Sequence, residues 1–243
     1  MVAATVLAIG AIRSIRWRAL IYAIPLPITL VLVTTATRVD GSQLLGVLLL
    51  NVFVAVVALL HARAGWHILL ADAAGVAVYA GLAWPIAALA PVPFVPTLTA
   101  VLLLWLLGQA ILRRCDRADG HGMAAPTAAS PDVLAKIATV AGSSLLVVAV
   151  GRLINGLAVT FPYAGVLVVI ETRQHLGAFA RQFATNSIAL VAFFIAYWAL
   201  QDRDRLLALG SAWLAFVTVA AILHLARKPS IRTQLPANSR NGG

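Results

Sequence analysis

The sequence predicts an all-α, polytopic bundle of transmembrane helices with about nine spans. Of its 243 residues, 62% are hydrophobic and 11% are charged, and the mean hydropathy is +0.96. A soluble domain of this size needs a more strongly charged surface. Apolar runs close to the ~20 residues that cross ~30 Å of hydrocarbon recur along the whole chain. We therefore expect a membrane-embedded helical protein.

Apolar segments of membrane length define the predicted elements in order. The first is short, and Arg13, Arg16 and Arg18 follow it. A signal peptide carries its positive charge before the apolar stretch, so this segment is interpreted as an uncleaved span. The turn APVPFVP separates the fourth span from the fifth, and a polar segment from Arg113 separates the fifth from the sixth. The nine predicted spans are 1–15, 18–36, 43–62, 67–88, 96–113, 133–151, 154–171, 183–201 and 206–226.

The basic residues between these spans predict the orientation of the chain. If all nine segments cross, fourteen Lys and Arg residues lie on one side and four on the other. The positive-inside rule makes the richer side cytoplasmic, with the N-terminus outside and the C-terminus inside. The net charge of +10 is thus attributed to membrane flanks and not to nucleic-acid binding. Arginine far outnumbers lysine and alanine is abundant, which favours a bacterium with a GC-rich genome. The predicted location is the bacterial inner (plasma) membrane. The single cysteine, Cys115, excludes an intrachain disulfide.

An internal repeat is predicted from two proline-containing apolar stretches. ALIYAIPLPITLVLV at residues 19–33 aligns without gaps to GLAVTFPYAGVLVVI at residues 156–170, which places Pro25 on Pro162, 137 residues later. Each stretch is followed by a polar segment, a span, a short charged turn and another span. A linker span between two four-span units inverts the second unit, so the expected architecture is a 4+1+4 inverted repeat.

The repeat divides the chain into four predicted regions. Residues 1–95 form the first four-helix unit, and residues 96–132 form the linker helix with a cytoplasmic loop. Residues 133–227 form the second, inverted unit, and residues 228–243 form a disordered tail.

The second unit resembles the GlpM family of small four-helix inner-membrane proteins. The matching residues are Gly156, Leu157, Phe161, Pro162 and the charged turn from Arg173 to Arg181. The resemblance covers residues 133–226 and, more weakly, 1–88. It implies two such units fused through a linker helix, and a link to exopolysaccharide (alginate) production. Tyr163 departs from the small hydroxyl residue that is usual in that family.

The prolines are the first candidate site residues. Interrupted segments at matching positions of two inverted halves are typical of transporter binding sites near the membrane midplane. Pro25, Pro27 and Pro162 would shape such breaks, and Tyr163 would place a hydroxyl beside one of them. The alternatives are a packing kink, since proline is frequent in transmembrane helices, and a packed core tyrosine.

Asp72 and Asn51 are the other candidates, because both are polar residues inside predicted spans. A carboxylate in a span is costly and usually pairs or lines a pathway, so Asp72 could carry a proton or a cation. The alternative is an interfacial acid paired with Arg63 or His67 one turn away. Asn51 lies in the middle of its span, and its amide could bind a ligand or form a hydrogen bond between helices.

The motifs of enzymes and metal sites are absent from the sequence. No nucleophile elbow, P-loop, dinucleotide glycine motif or zinc-binding helix is present, so the protein is expected to be a non-enzyme without cofactor or metal. The expected partners are the lipid bilayer, a small solute or ion, and possible membrane proteins. The leading hypothesis is a small-solute or ion transporter or channel. The alternative is a non-catalytic accessory protein for envelope or exopolysaccharide synthesis or export.

Overall fold

A computed structural model describes residues 24–35, 37–89, 91–118, 168–169 and 172–226 of the chain. Its regular elements are helical, as the sequence predicts. A short 3₁₀ helix, Arg173–His175, leads into the fifth α-helix. The six α-helices are α1 Leu26–Thr35, α2 Gly41–Ala62, α3 Ile68–Ala88, α4 Phe94–Ala118, α5 Leu176–Leu200 and α6 Arg205–Ala226.

Five of these helices, α2 to α6, are long and apolar enough to cross a membrane. They correspond to the predicted spans 43–62, 67–88, 96–113, 183–201 and 206–226. The predicted count of nine spans is not supported: α1 has ten residues and is too short to cross alone. The predicted spans 1–15 and 133–151, and nearly all of 154–171, lie outside the described residues.

Two helices extend well beyond their predicted boundaries. Helix α4 continues to Ala118, through residues assigned from the sequence to a polar loop, and α5 begins at Leu176 and not at residue 183. Apolar patterning marks only the stretch that crosses hydrocarbon, whereas a helix can continue into water where its polar side chains are solvated. Arg181 is such a side chain, exposed in the second turn of α5.

Helices α2 and α5 form the centre of the bundle and run antiparallel. The backbone amide of Val39, just before α2, donates to Oε1 of Gln201 at 2.8 Å, and Nε2 of Gln201 donates to the carbonyl of Val39 at 3.0 Å. Gln201 directly follows α5, so the start of α2 lies beside the end of α5. Helix α3 packs on α2, α6 packs on α5, and α4 contacts both central helices.

The outer helices α3 and α6 bury the same kind of face. In each, four buried residues recur every fourth position in the order small, small, aromatic, small, and this spacing keeps them on one side of a helix. The residues are Ala71, Gly75, Tyr79 and Ala83 in α3, and Ala208, Ala212, Phe216 and Ala220 in α6. Each residue of the first set lies 137 positions before its counterpart in the second.

The described helices have two ends with different charge. The Asp40 end comprises residues 37–41, 91–94 and 200–205, and it carries Arg38, Arg203 and Arg205 together with Asp40, Asp202 and Asp204. The Arg63 end comprises residues 62–68, 172–176 and the C-terminal turns of α4 and α6. Its arginines with described side chains are Arg63, Arg114, Arg173 and Arg181. The acids nearest to this end in the described residues are Asp116, in the last turns of α4, and Asp72, inside α3.

Candidate functional site

Pro25 and Pro27 lie at the start of α1. The described chain is not helical at Ile24 and Pro25, and α1 begins at Leu26. The amide of Thr29 donates to the carbonyl of Pro25 at 2.8 Å, which closes the first turn. A proline at the first turn removes no hydrogen bond, because the first amides of a helix have no partner within it. Pro162 and Tyr163 lie outside the described residues, so the predicted pairing of two breaks stays a prediction.

Helix α1 is joined to α6, far away in sequence, by a side-chain hydrogen bond. The indole Nε1 of Trp213 donates to the hydroxyl of Thr29 at 3.1 Å. Ile28 and Leu32, one and two turns into α1, are buried. The proline-started helix is therefore part of the bundle.

Asp72 is a buried acid with a free acceptor atom. Its relative exposure is 5%, and its Oδ1 is buried without a hydrogen-bond partner among the described residues. The alternative of an ion pair with Arg63 or His67 is not observed among the described residues. Nδ1 of His67 accepts from the amide of Leu69 at 3.4 Å, at the start of α3. Small residues flank the carboxylate in the sequence ADAAG, of which Asp72 is the second residue.

Asn51, in the middle of α2, forms a hydrogen bond through only one of the two polar atoms of its side chain among the described residues. Its Nδ2 donates to the carbonyl of Val47, one turn earlier, at 2.8 Å. Its Oδ1 is buried and has no hydrogen-bond partner in the part of the chain that the structure describes. The predicted alternative, an amide hydrogen bond to another helix, is therefore not formed with any described residue.

The structure does not bring Asn51 and Asp72 together. Helices α2 and α3 approach each other closely at Gly75, where an added Cβ would lie 2.6 Å from Val57 and 3.0 Å from the ring of Phe53. Asp72 lies on the Arg63 side of this contact. Asn51 lies on the Asp40 side, because α3 runs back along α2. The two free oxygens therefore belong to separate places, one near an end and one near the centre.

Other polar residues inside the bundle have partners. Nε1 of Trp105 in α4 donates to the carbonyl of Ala184 in α5 at 2.7 Å, and the Thr185 hydroxyl donates to Oε1 of Gln109 at 3.2 Å. The buried Asn186 accepts from Nε2 of Gln182 at 3.3 Å. The first two bonds hold α4 against α5, whereas the third lies within α5. Asn51 and Asp72 are the two residues with a buried, unpartnered side-chain oxygen in the part of the chain that is described.

Sequence reasoning missed a cluster at the Asp40 end that joins distant segments. Asp40 accepts from the amide of Ser42 at 2.7 Å and from that of Val92 at 3.2 Å, while its own amide donates to Gln43 at 2.7 Å. The order Asp-Gly-Ser-Gln is a capping-box signal that could have been recognised. The second partner, Val92, has no local signal.

Two further contacts complete the cluster at the Asp40 end. Arg38 forms an ion pair with Asp202, and the rings of Phe94 and Trp198 stack with centroids 4.4 Å apart. With the Val39–Gln201 bonds, these contacts close the Asp40 end across both central helices.

The chemistry available to the candidate residues is that of single oxygen acceptors. Among the described residues there is no group of three or more His, Cys, Asp or Glu side chains that could hold a metal ion. Searches against protein-family models, curated proteins and solved structures gave no match to this chain.

Proposed function

We propose that this integral membrane protein is a small-solute or ion transporter or channel, with its pathway at the interface of two inverted four-helix units. The observation that carries this proposal is the pair of free oxygens, Oδ1 of Asn51 and Oδ1 of Asp72, inside helices of membrane length. Leaving a buried acceptor unpaired costs about 1–3 kcal/mol. Polar groups retained in spans at such a cost commonly mark substrate or ion pathways.

The inverted relation of the two units has support from the helix boundaries and from the packing. Helices α2 and α3 correspond to α5 and α6 at the offset of 137 residues, and their buried faces correspond as well. Inversion requires corresponding helices to run in opposite directions, and α2 and α5 do so. With Val39 level with Gln201, Asn51 lies level with Ala189, next to its own counterpart Ile188. Asn51 would therefore lie close to the two-fold axis of the repeat.

The charge of the two ends supports the proposed orientation. In the described chain, three arginines lie at the Asp40 end, at positions 38, 203 and 205, whereas six lie at or near the Arg63 end, at positions 63, 113, 114, 117, 173 and 181. The positive-inside rule then makes the Arg63 end cytoplasmic, which is the N-out, C-in arrangement in a bacterial inner membrane.

Flux through purified protein in liposomes tests the proposal. A trapped pH-sensitive dye reports proton flux, electrodes report potassium and chloride, and light scattering reports uptake of glycerol. We expect at least one of these fluxes above that of empty liposomes, and a loss of about tenfold or more in Asp72→Asn. Asp202→Asn is the matched control, because its side chain is 67% exposed at the Asp40 end. Absence of every flux from a folded wild-type protein, or an unchanged flux in Asp72→Asn, would contradict the pathway proposed here.

Cysteine labelling tests the orientation independently. In a Cys115→Ser background, Ala64→Cys and Arg203→Cys place exposed thiols at the Arg63 end and the Asp40 end. An impermeant maleimide added to intact spheroplasts should modify residue 203 and spare residue 64 until the membrane is opened. Gly41 is unsuitable for a reporter, because a Cβ there would lie 2.7 Å from Oγ1 of Thr97. Labelling of both thiols in intact cells would refute the proposed orientation.

The accessory role implied by the resemblance to the GlpM family is the second proposal. Its support is α4, in which 6% of the membrane-length stretch is buried, compared with 50% in α2 and in α5. An apolar helix so little covered by the rest of the described chain offers a surface to lipid or to a membrane partner. This role predicts no flux, and a partner of the polysaccharide machinery that copurifies in mild detergent and is lost when Leu103 and Leu107 are changed to Ala.

A further inference from the structure

We propose that Asp72 is a reversible proton-binding site that exchanges with water at the Arg63 end. This inference deepens the proposed function and depends on its membrane-spanning arrangement, but it does not require that any solute crosses. The ligand is the hydrated proton. Transfer of that proton to a carboxylate oxygen forms an O–H bond, releases water and leaves a neutral side chain.

The free oxygen of Asp72 fits a proton better than a metal ion. A bound proton requires one acceptor atom, whereas cations such as Ca²⁺ and Mg²⁺ take six or more oxygen ligands. Asp72 presents a buried Oδ1 with no described partner, and no metal-type cluster of His, Cys, Asp or Glu is present in the described ranges. A neutral acid also avoids most of the cost of a charge in hydrocarbon.

The position of Asp72 gives it access from one side. It is the fifth residue of α3, and the residues before the helix, from Arg63 to His67, are exposed at the Arg63 end. At a rise of 1.5 Å per residue, the carboxylate lies only about 7 Å from that end along the helix axis. Towards the centre, the close contact of Gly75 with Val57 closes the seam between α2 and α3. Water and protons should therefore reach Asp72 from the Arg63 end and not from the Asp40 end.

The histidines and the arginine closest in sequence to Asp72 in the described chain lie at the Arg63 end. Helix α2, which packs against α3, carries His61 in its last turn, and Nδ1 of this histidine lies 2.9 Å from the carbonyl of Trp66. On the side of α3 itself, His67 and Arg63 are exposed. In the described part, none of these three groups forms an ion pair with Asp72. Because other ionisable side chains lie at this end, the titration must be measured on Asp72 itself.

Infrared difference spectroscopy of the full protein in lipid tests the proposal directly. The carbonyl stretch of a neutral carboxylic acid is recorded between about pH 3 and pH 10, a range that includes ordinary carboxyl and histidine titrations. We expect a neutral-acid band that falls as the pH rises, shifts when the protein carries isotope-labelled aspartate, and is missing in Asp72→Asn. A band that never changes, or no band assignable to Asp72, would overturn the proposal. Because the label marks all seven aspartates, Asp72→Glu is the second variant, in which the neutral-acid band should remain but lose the isotope shift of labelled aspartate.

Access is tested with a thiol at the same position. In the Cys115→Ser background, Asp72→Cys should react with an impermeant methanethiosulfonate added on the side on which residue 64 is labelled. Leu209→Cys, at the corresponding position of α6, is the matched control. Reaction of residue 72 only from the side on which residue 203 is labelled would overturn the assigned access. Failure of the flux assay with an intact Asp72 titration would reject the transporter and leave the proton site standing. Normal flux without a titration of Asp72 would reject the proton site and leave the transporter standing.

Discussion

The pair α2–α3 and the pair α5–α6 have the same packing pattern but different polar content. Both outer helices bury two small residues, an aromatic residue and a third small residue against a central helix. Yet Asn51 and Asp72 belong to the first pair, and their counterparts 137 residues later, Ile188 and Leu209, are apolar. The second pair packs in the same way with apolar residues at both positions. The polar residues of the first pair are therefore additions that packing does not require.

The closeness of the helices also differs between the pairs. In the first pair, Gly75 leaves no room for a Cβ beside Val57. In the second pair, the corresponding residue is Ala212, which is fully buried with its methyl group accommodated. Helix α3 thus approaches α2 more closely than a residue with a side chain would allow at that position.

The largest expected effect is that of removing the central free oxygen. Asn51→Leu should lower flux by about tenfold or more. It should also raise the stability by about 1–3 kcal/mol, because an unpaired buried acceptor is lost. Flux in liposomes and reversible unfolding by SDS in mixed micelles measure the two effects. Ile188→Leu, the matched change in the second pair, should alter neither. A destabilised Asn51→Leu protein would indicate that Oδ1 has a structural partner.

The next largest effect should come from the close approach of α3. Gly75→Ala should destabilise the protein by about 1–3 kcal/mol, because the new methyl group overlaps Val57 and forces the helices apart. Gly81→Ala is the control, since a Cβ there meets nothing within 4 Å of the described structure. Unfolding by SDS should show a loss of stability for Gly75→Ala only. Equal stability of the two variants would mean that α3 can shift without cost.

The helix caps provide a smaller comparison. The carboxylate of Asp40 caps α2 and also accepts from Val92, whereas the carboxylate of Asp204 accepts only from the amide of Leu207, at 2.8 Å, among the described residues. Replacing a cap costs about 0.5–2 kcal/mol. The loss of stability in Asp40→Ala should therefore lie at the upper end of this range, and that in Asp204→Ala at the lower end. Unfolding of both variants in the same micelles checks the order, and a reversed order would contradict the role given to Val92.

The smallest effect should be that of the ion pair between the units. The side chains of Arg38 and Asp202 are 78% and 67% exposed, so a double-mutant cycle should give a coupling below about 1 kcal/mol. The coupling should fall further as salt is added. A coupling well above this value, or one that salt does not change, would show that the pair is shielded from water.

Five spans could be predicted from the sequence because each is a long apolar run. The same runs identified Asn51 and Asp72 as candidates, because a polar residue inside an apolar run is easily recognised. Helix ends were predicted less well. The continuation of α4 to Ala118 involves polar residues that obey no hydropathy rule, and the early start of α5 likewise precedes its apolar core.

The contacts between segments could not be predicted, because they depend on the fold. Asp40 carries a local capping signal, but its bond to Val92 depends on the return of α3. Gln201 looks like an ordinary turn residue, yet it pairs with the backbone of Val39. The unpaired state of Asp72 is likewise invisible in a sequence that places Arg63 and His67 close by.

The pairing of Val39 with Gln201 has a consequence for the synthesis of the protein. The two residues are 162 positions apart, so α2 is synthesised long before Gln201, which binds Val39 just before this helix. At roughly 5–20 residues per second, translation needs on the order of ten to thirty seconds to bridge that distance. During this delay, the start of α2 depends on the Asp40 cap and on Val92, which are made much earlier. The Asp40 cap thus stabilises the start of α2 until Gln201 has been synthesised and can bind the backbone of Val39.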